Sequence, residues 1–443
     1  MKARLRVLAV LGLVAVTALT VAATAGAKRG AQAKHPGLQN TAYFIEWGIY
    51  GRNYLVKNVE TSGQAAKLTA VNYAFSNAIP DGDHVACKLA DEWADYQKPW
   101  APADSVSGNE VTWPNPVLGN FEQLKELKAL HPDLKVLISI GGWTFSKYFS
   151  DAALTPASRQ AFVQSCVDLF IKGNLPDPGW GGMGGPGSAA GIFDGIDIDW
   201  EWPGSAGNDG NIVRAADKAN YVSLLQEFRS QLDAYGATQG GKHYLLTSFL
   251  PANPSAIAAG VDPAIFGPLD FGNLQGYDLH GSWDSSTNFQ SNLRVPLSAP
   301  APRFSVSDVV QSYQRLGVPN GKLVVGVPFY SYGWTGVPTT NNGLYQPSTG
   351  PAPGVWAPGT NDYKAVAPLL GSGYTRYYDP STAAAWLFNG STFWTFDDPS
   401  ILQAKAAFVA SRKLGGIMAW ELSGDTTDGS LETGISNGLW GAP

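Results

Sequence analysis

Between Asp194 and Glu201 the chain reads Asp-Gly-Ile-Asp-Ile-Asp-Trp-Glu. In an extended strand successive side chains point to opposite faces. Asp197, Asp199 and Glu201 therefore share one face, and Ile196, Ile198 and Trp200 share the other. The apolar face suits packing beneath helices, which turns the acidic face toward an interior. Successive carboxylates on such a face stand roughly 6.5 Å apart, close enough to couple strongly where water is scarce. They cannot all ionise comfortably, so at least one proton is retained and the pKa of Glu201 is expected to rise. A carboxyl that keeps its proton near neutral pH is a general acid for a leaving oxygen. Hard cations also favour carboxylates, but no calcium-loop pattern accompanies the motif, and the flanking Ile and Trp residues argue against an exposed acidic edge.

Such a strand needs a scaffold. Short apolar runs recur at Ala42–Trp47, Ala70–Phe75, Val136–Ile140, Gly195–Trp200, Tyr244–Phe249, Gly272–Tyr277, Leu323–Pro328 and Gly416–Trp420. Helical periodicity falls between several of them: Phe121–Leu130, Pro156–Lys172 with Thr155 as N-cap, Lys218–Tyr235 and Ser400–Leu414. Eight strands with intervening helices is the count of a (β/α)8 TIM barrel of the α/β class. A doubly wound open sheet is the alternative. The barrel is preferred because polar residues gather at the C-terminal ends of many strands and not at one crevice. Three insertions interrupt the alternation. Residues 81–118 read as a long loop carrying Cys87. Gly179–Gly191 is glycine-rich, with no phosphate-cradling helix after it. The third, residues 333–396, contains strand candidates Tyr374–Tyr378 and Ala385–Asn389 and reads as a small α+β subdomain between strands seven and eight. The barrel is thus expected over 41–332 and 397–443.

The first 27 residues have the pattern of a signal peptide: Lys2, Arg4 and Arg6, then an apolar run, then small residues at Ala25 and Ala27. Residues 28–40 read as a flexible leader, and the mature chain is expected to be secreted and extracellular. A membrane anchor is disfavoured, because small residues and Thr interrupt the run. Losing the three positive charges of that segment moves the formal net charge from −6 to −9. An acidic, sparsely charged chain speaks against nucleic acid and anionic membranes as partners. With 15 Trp, 18 Tyr and 19 Phe, most aromatics must fill the core and a minority can stack on ligands. The two cysteines, Cys87 and Cys166, leave two readings open, a disulfide in an exported chain or two separately buried thiols. No C-x-x-C or histidine cluster suggests a metal, and no cofactor is expected.

The segment DGIDIDWE resembles the D-x-x-D-x-D-x-E signature of glycoside hydrolase family 18, the chitinase family. Ser139-Ile140-Gly141-Gly142 is similar to that family's strand-three motif, Asn72-Tyr73-Ala74-Phe75 to strand two, Tyr277-Asp278 to strand six, Gly326-Val327-Pro328-Phe329-Tyr330 to strand seven, and Trp420 to the tryptophan ending strand eight. The resemblance implies a chitinase that hydrolyses β-1,4-N-acetylglucosamine linkages with retention, using the substrate's own 2-acetamido group as nucleophile. On this reading Glu201 is the acid and base, and Asp199 orients the acetamido N–H. Asp197 shares a proton with Asp199, and Tyr277 donates to the acetamido oxygen. Asp278 would contact the distorted sugar, with Trp420 as floor, Phe75 as wall and Trp143 on the leaving-group side. Tyr43 and Ser139 would steady Asp197, and Tyr330 would line the site. Two positions depart from the pattern. Gln275 stands where many members have Met, and Ser331-Tyr332 stands where many have Gly-Arg, which leaves any arginine contact to Asp278 without a counterpart.

The expected partners are chitin or N-acetylglucosamine oligosaccharides, bound by a monomer. Two other readings compete: an endo-β-N-acetylglucosaminidase acting on N-glycans, which the insertion before strand eight disfavours, and a non-catalytic chitin-binding lectin, which the presence of Glu201 disfavours. Trp113, Trp283, Trp334 and Trp356 are candidates to extend a binding path.

Overall fold

The eight apolar runs form eight parallel strands: β1 (Gln39–Ile45), β2 (Ala70–Asp81), β3 (Lys135–Gly141), β4 (Gly195–Asp199), β5 (Leu245–Leu250), β6 (Phe271–Leu274), β7 (Leu323–Pro328) and β8 (Gly416–Trp420). The computed structural model describes residues 37–296 and 299–441; the expected signal peptide and most of the leader lie outside them. The strands pair in the order β1–β8–β7–β6–β5–β4–β3–β2, and β2 pairs back to β1 with Tyr43 opposite Asn72. The sheet is therefore a closed barrel, not the open alternative. Gln39 and Asn40, read as the end of the leader, already belong to β1, opposite Gly416 and Ile417.

Among the described residues, eight α-helices longer than four residues accompany the strands: α1 (Val56–Thr61), α2 (Gly119–Leu130), α3 (Pro156–Cys166), α4 (Asp217–Thr238), α5 (Pro254–Gly260), α6 (Val306–Arg315), α7 (Pro399–Ser411) and α8 (Ser430–Trp440). Local chemistry sets their ends. Thr155 accepts from the Ser158 amide at 3.1 Å and Pro156 opens α3, which runs on as a π-turn through Val167–Ile171. Asp398 accepts from the amides of Ser400 and Ile401, both at 3.0 Å, and Pro399 opens α7. The strand alternation sorts the side chains as expected. Ile196 and Ile198 are fully buried in the layer between sheet and helices, where burial of each contributes about 1.5–3 kcal/mol. Inside the barrel lie Tyr43, Phe75, Phe249, Tyr277 and Met418 around polar Asp197, Thr247 and Asn273.

One insertion differs from its reading as loop. β2 overshoots the barrel to Asp81, and His84–Leu89 folds back on it antiparallel, with Ala78 opposite Cys87. The HVACKL segment is short and sits directly after a glycine turn, so periodicity alone did not mark it as a strand. Its Cys87 is joined to Cys166 at the end of α3, with Cα atoms 5.0 Å apart. After β7 the strand Tyr330–Thr335 opens a second, antiparallel sheet with Thr375–Asp379, Ala384–Phe388, Phe393–Phe396 and two short segments. That sheet has its own core of Phe289, Trp334, Trp386 and Phe393.

Candidate active site

β4 points Asp197, Asp199 and then Glu201 along one line, while Trp200 turns outward against Phe149 at 5.5 Å and Tyr221 at 5.4 Å. The three carboxyls meet different surroundings. Asp197 is fully buried and accepts four hydrogen bonds, from Tyr43 Oη (2.8 Å), Ser139 Oγ (2.9 Å), Thr247 Oγ1 (2.6 Å) and Asn273 Nδ2 (3.3 Å). Burial pushes its pKa up, and those four donors pull it back. Asp199 has no such set: its Oδ1 is buried without a partner, and burial, Glu201 and then Asp197 hold its pKa well above the usual carboxylate range. Glu201 is pushed up to about 8, first by burial and then by the negative charge of Asp278. It is thus mostly protonated at neutral pH.

The backbone that carries Glu201 is pinned. Its amide donates to Ser146 Oγ at 2.8 Å, and Asn211 Nδ2 donates to its carbonyl at 2.9 Å. Ser146 in turn donates toward the carbonyls of Gly142 and Asp199. The Gly141-Gly142 pair is required by space and by conformation. Both have positive φ, a Cβ on Gly141 would meet the Asp199 carbonyl at 2.3 Å, and one on Gly142 would meet the Phe75 ring at 2.6 Å.

These groups open into a cleft of about 800 Å³ at the C-terminal ends of the strands. Its lining includes Asp199, Glu201, Gln275, Tyr277 and Asp278, with Tyr43, Phe75, Trp143, Tyr330 and Trp420 as aromatic walls. Trp420 stacks on Phe75 at 5.6 Å and Tyr277 on Phe249 at 6.1 Å. Non-prolyl cis peptide bonds join Ala74–Phe75, Glu201–Trp202 and Trp420–Glu421. Asp278 adopts a left-handed backbone with φ of 57°, a conformation Asp tolerates better than most residues. It accepts a hydrogen bond from the Tyr330 hydroxyl; burial raises its pKa, and Tyr330, Tyr332 and Gln275 draw it back.

All twelve residues singled out as catalytic or sugar-contacting gather in or directly beneath this cleft; Ser139 and Asp197 form the layer below it. Of the four further tryptophans, Trp283 lines the cleft and is 61% exposed. Trp356 lines an adjoining pocket of about 240 Å³, over the Arg52 guanidinium at 4.1 Å. Trp113 instead packs beside Trp180. Trp334 is wholly buried, donates to the Asp284 carbonyl and packs on Phe393, so it is core of the second sheet and not part of a binding path. Sequence reasoning missed Thr247 and Asn273, whose signal was a lone polar residue within an apolar strand. It also missed Ser146, Trp47, Trp202 and Tyr332 as contributors. Among the described residues, no group of three or more His, Cys, Asp or Glu side chains converges as a metal site would.

The model of the family described as Glycosyl hydrolases family 18 matches residues 39–425. The chain belongs to glycosyl hydrolase family 18. Within the family it is 35% identical over 428 residues to Chitinase 63 of Streptomyces plicatus, covering 94% of this chain and 63% of that protein. It is 36% identical to Chitinase C of Streptomyces lividans, covering 87% of this chain and 57% of that protein. The chain thus spans about three-fifths of the length of these relatives. Among solved structures, the catalytic domain of psychrophilic chitinase B from Arthrobacter TAD20 superposes with a TM-score of 0.86 at 45% identity, covering 92% of this chain and 96% of that one. A family 18 N-acetylglucosaminidase from Paenibacillus barengoltzii gives 0.69 at 30% identity, covering 90% and 99%.

Proposed function

We propose that the protein is a secreted chitinase that cleaves β-1,4-N-acetylglucosamine linkages with retention of configuration, with Glu201 as acid and then base. The observation that carries this reading is that buried Glu201 lines one aromatic-walled cleft with Asp199, whose buried Oδ1 has no partner. Glu201 protonates the leaving oxygen. The 2-acetamido carbonyl of the bound sugar attacks the anomeric carbon, giving a cyclic oxazolinium ion; its N–H donates to Asp199, which balances the developing positive charge. Tyr277 donates its hydroxyl to the acetamido oxygen and holds it in line. Glu201, now ionised, takes a proton from water, which opens the oxazolinium from the same face. An intramolecular nucleophile gains a large effective concentration, so no side-chain nucleophile is required. Asp197, held by four donors, anchors the row and shares a proton with Asp199 during the cycle.

Residues 1–27 act as the export signal in this proposal, and residues 333–396 form a subdomain that raises one wall of the cleft for a long polymer. Hydrolysis of a chitin oligosaccharide by wild type and Glu201→Gln, with the product anomer followed early by NMR, tests it. Early β-anomer from wild type and near-complete loss of rate in a variant that still binds support the mechanism. An equally fast Glu201→Gln variant overturns the assignment, and binding without cleavage by wild type would make the protein a lectin.

A further inference from the structure

Glu201 lies beyond the end of the sheet. The last pairing of β4 sets Asp199 opposite Gly141, two residues before the acid. The ladder that aligns Asp197 and Asp199 therefore does not reach Glu201. Among the described residues, no side chain donates a hydrogen bond to its carboxyl. It is held instead through the two peptide groups that flank its Cα. Ser146 Oγ, on the loop after β3, accepts from the Glu201 amide at 2.8 Å, and Asn211 Nδ2 donates to the Glu201 carbonyl at 2.9 Å. Each peptide group is planar and rigid, so holding both fixes the direction in which the side chain leaves the backbone.

The loop that carries Asn211 is itself closed and tied down. Its two ends meet on one fully buried carboxylate at the start of α4: the amides of Gly204 (3.4 Å) and Arg214 (2.7 Å) both donate to Asp217 Oδ2. Within it, the Asn211 amide donates to the Asn208 carbonyl at 3.2 Å. The Ile212 amide donates to the Lys147 carbonyl at 3.1 Å, which joins this loop to the one bearing Trp143 and Ser146. Close approach to the acid depends on Gly207. A Cβ there would meet the Glu201 carbonyl oxygen at 2.0 Å and Asn211 Nδ2 at 2.9 Å. Residues 204–214 thus form a strap drawn against the acid's backbone, with the Asn211 amide as its grip.

We propose that Asn211 is a positioning residue for proton transfer: its hydrogen bond to the Glu201 carbonyl keeps the carboxyl at the leaving oxygen. This rests on the reading of Glu201 as the acid of a chitin-cleaving site. The proton moves from a Glu201 carboxyl oxygen to the glycosidic oxygen as the C–O bond breaks. A misplacement of about 1 Å at such a step costs on the order of 100-fold in rate. That cost falls on leaving groups that need the proton and spares those that depart as stable anions.

The test compares two variants on two substrates. Asn211→Leu keeps the bulk and removes the donor; Asn211→Ala removes both. A chitin oligosaccharide has a sugar leaving group that must be protonated, whereas dinitrophenyl chitobioside releases a phenolate that need not be. On the oligosaccharide both variants should lose about 10- to 100-fold in kcat/KM, carried by kcat, with KM within about twofold of wild type. On the aryl glycoside the loss should stay below about threefold. The ratio of the two activities is taken on one preparation, so a smaller folded fraction cancels. General loosening of the cleft would lower both activities alike, and a role in packing alone would be restored by Leu. Equal proportional losses on the two substrates, or Asn211→Leu at the wild-type rate, overturn the assignment of Asn211 while the chitinase reading stands. Wild type that cleaves neither substrate overturns that reading and the role of Asn211 with it.

Discussion

Replacing Asp278 by Asn should move the alkaline limb of the pH–rate profile to lower pH. An unperturbed glutamic acid near pKa 4.5 would be about 0.3% protonated at pH 7, whereas Glu201, pushed up to about 8, is about 90% protonated there. The environment thus supplies roughly a 300-fold larger fraction of the competent acid. Burial is the larger cause and Asp278 the second. Wild-type kcat/KM should therefore hold its plateau toward pH 7 and fall about tenfold per pH unit above about pH 8. In Asp278→Asn the burial remains and the charge is gone, so the limb moves toward acid without reaching the value of a free carboxyl. The assay is kcat/KM on a chitin oligosaccharide from about pH 5 to pH 10 at constant ionic strength. The leaving group must be a sugar, because a phenolate leaves without needing a full proton; with an aryl glycoside the limb should flatten. A wild-type limb below about pH 6, or limbs that coincide in wild type and variant, would refute the reasoning.

Three other perturbations probe the disulfide, the Asp197 donor set and the buried ion pair. Removing the Cys87–Cys166 bond, which closes a sequence separation of 79 residues, should lower stability by about 4.5 kcal/mol on the chain-entropy model, read as a drop in the urea midpoint of a Cys87→Ser/Cys166→Ser variant relative to wild type. Thr247→Val deletes the 2.6 Å donor to Asp197 with little change of shape; a loss of about 1.5–3 kcal/mol is expected if Asp197 is ionised and about 0.5–1.5 kcal/mol if it is neutral, read from the urea midpoint. Lys405→Met leaves Asp397 buried without its ion-pair partner and should cost about 3–5 kcal/mol. Lys405→Met/Asp397→Leu should recover much of that loss, and KM for oligosaccharides should be the same in all three proteins.

The barrel was legible because its strands are buried on both faces and so read as continuous apolar runs; all eight appear where those runs lie. The carboxylate row was legible because a strand's two-residue period and the spacing of Asp197, Asp199 and Glu201 coincide. Features that depend on two distant segments meeting were not legible. The HVACKL strand exists only because β2 overshoots the barrel to receive it. Trp334 shares its strand and face with Tyr330 and Tyr332, yet it lies farther along, where the second sheet closes over it. Tyr332 was noted only as a departure, since its packing on Trp283 needs the loop after β6 to fold back on the strand after β7. Ser146, which ties the Glu201 amide, carries no local signal, because one hydroxyl in a loop resembles any other.

The pairing of Gln39 with Gly416 has a consequence for the order in which the molecule can be made. The first barrel strand to leave the ribosome must wait for the last before both of its edges are satisfied. Until β8 arrives, β1 and β7 each present an unpaired parallel edge, the kind of surface that recruits another chain. Closure therefore depends on contacts of very long sequence separation, which are slow to form. A chain cut just before Gly416 would lose one strand but expose two edges, so shortening the protein from that end should yield aggregates in preference to a smaller soluble barrel.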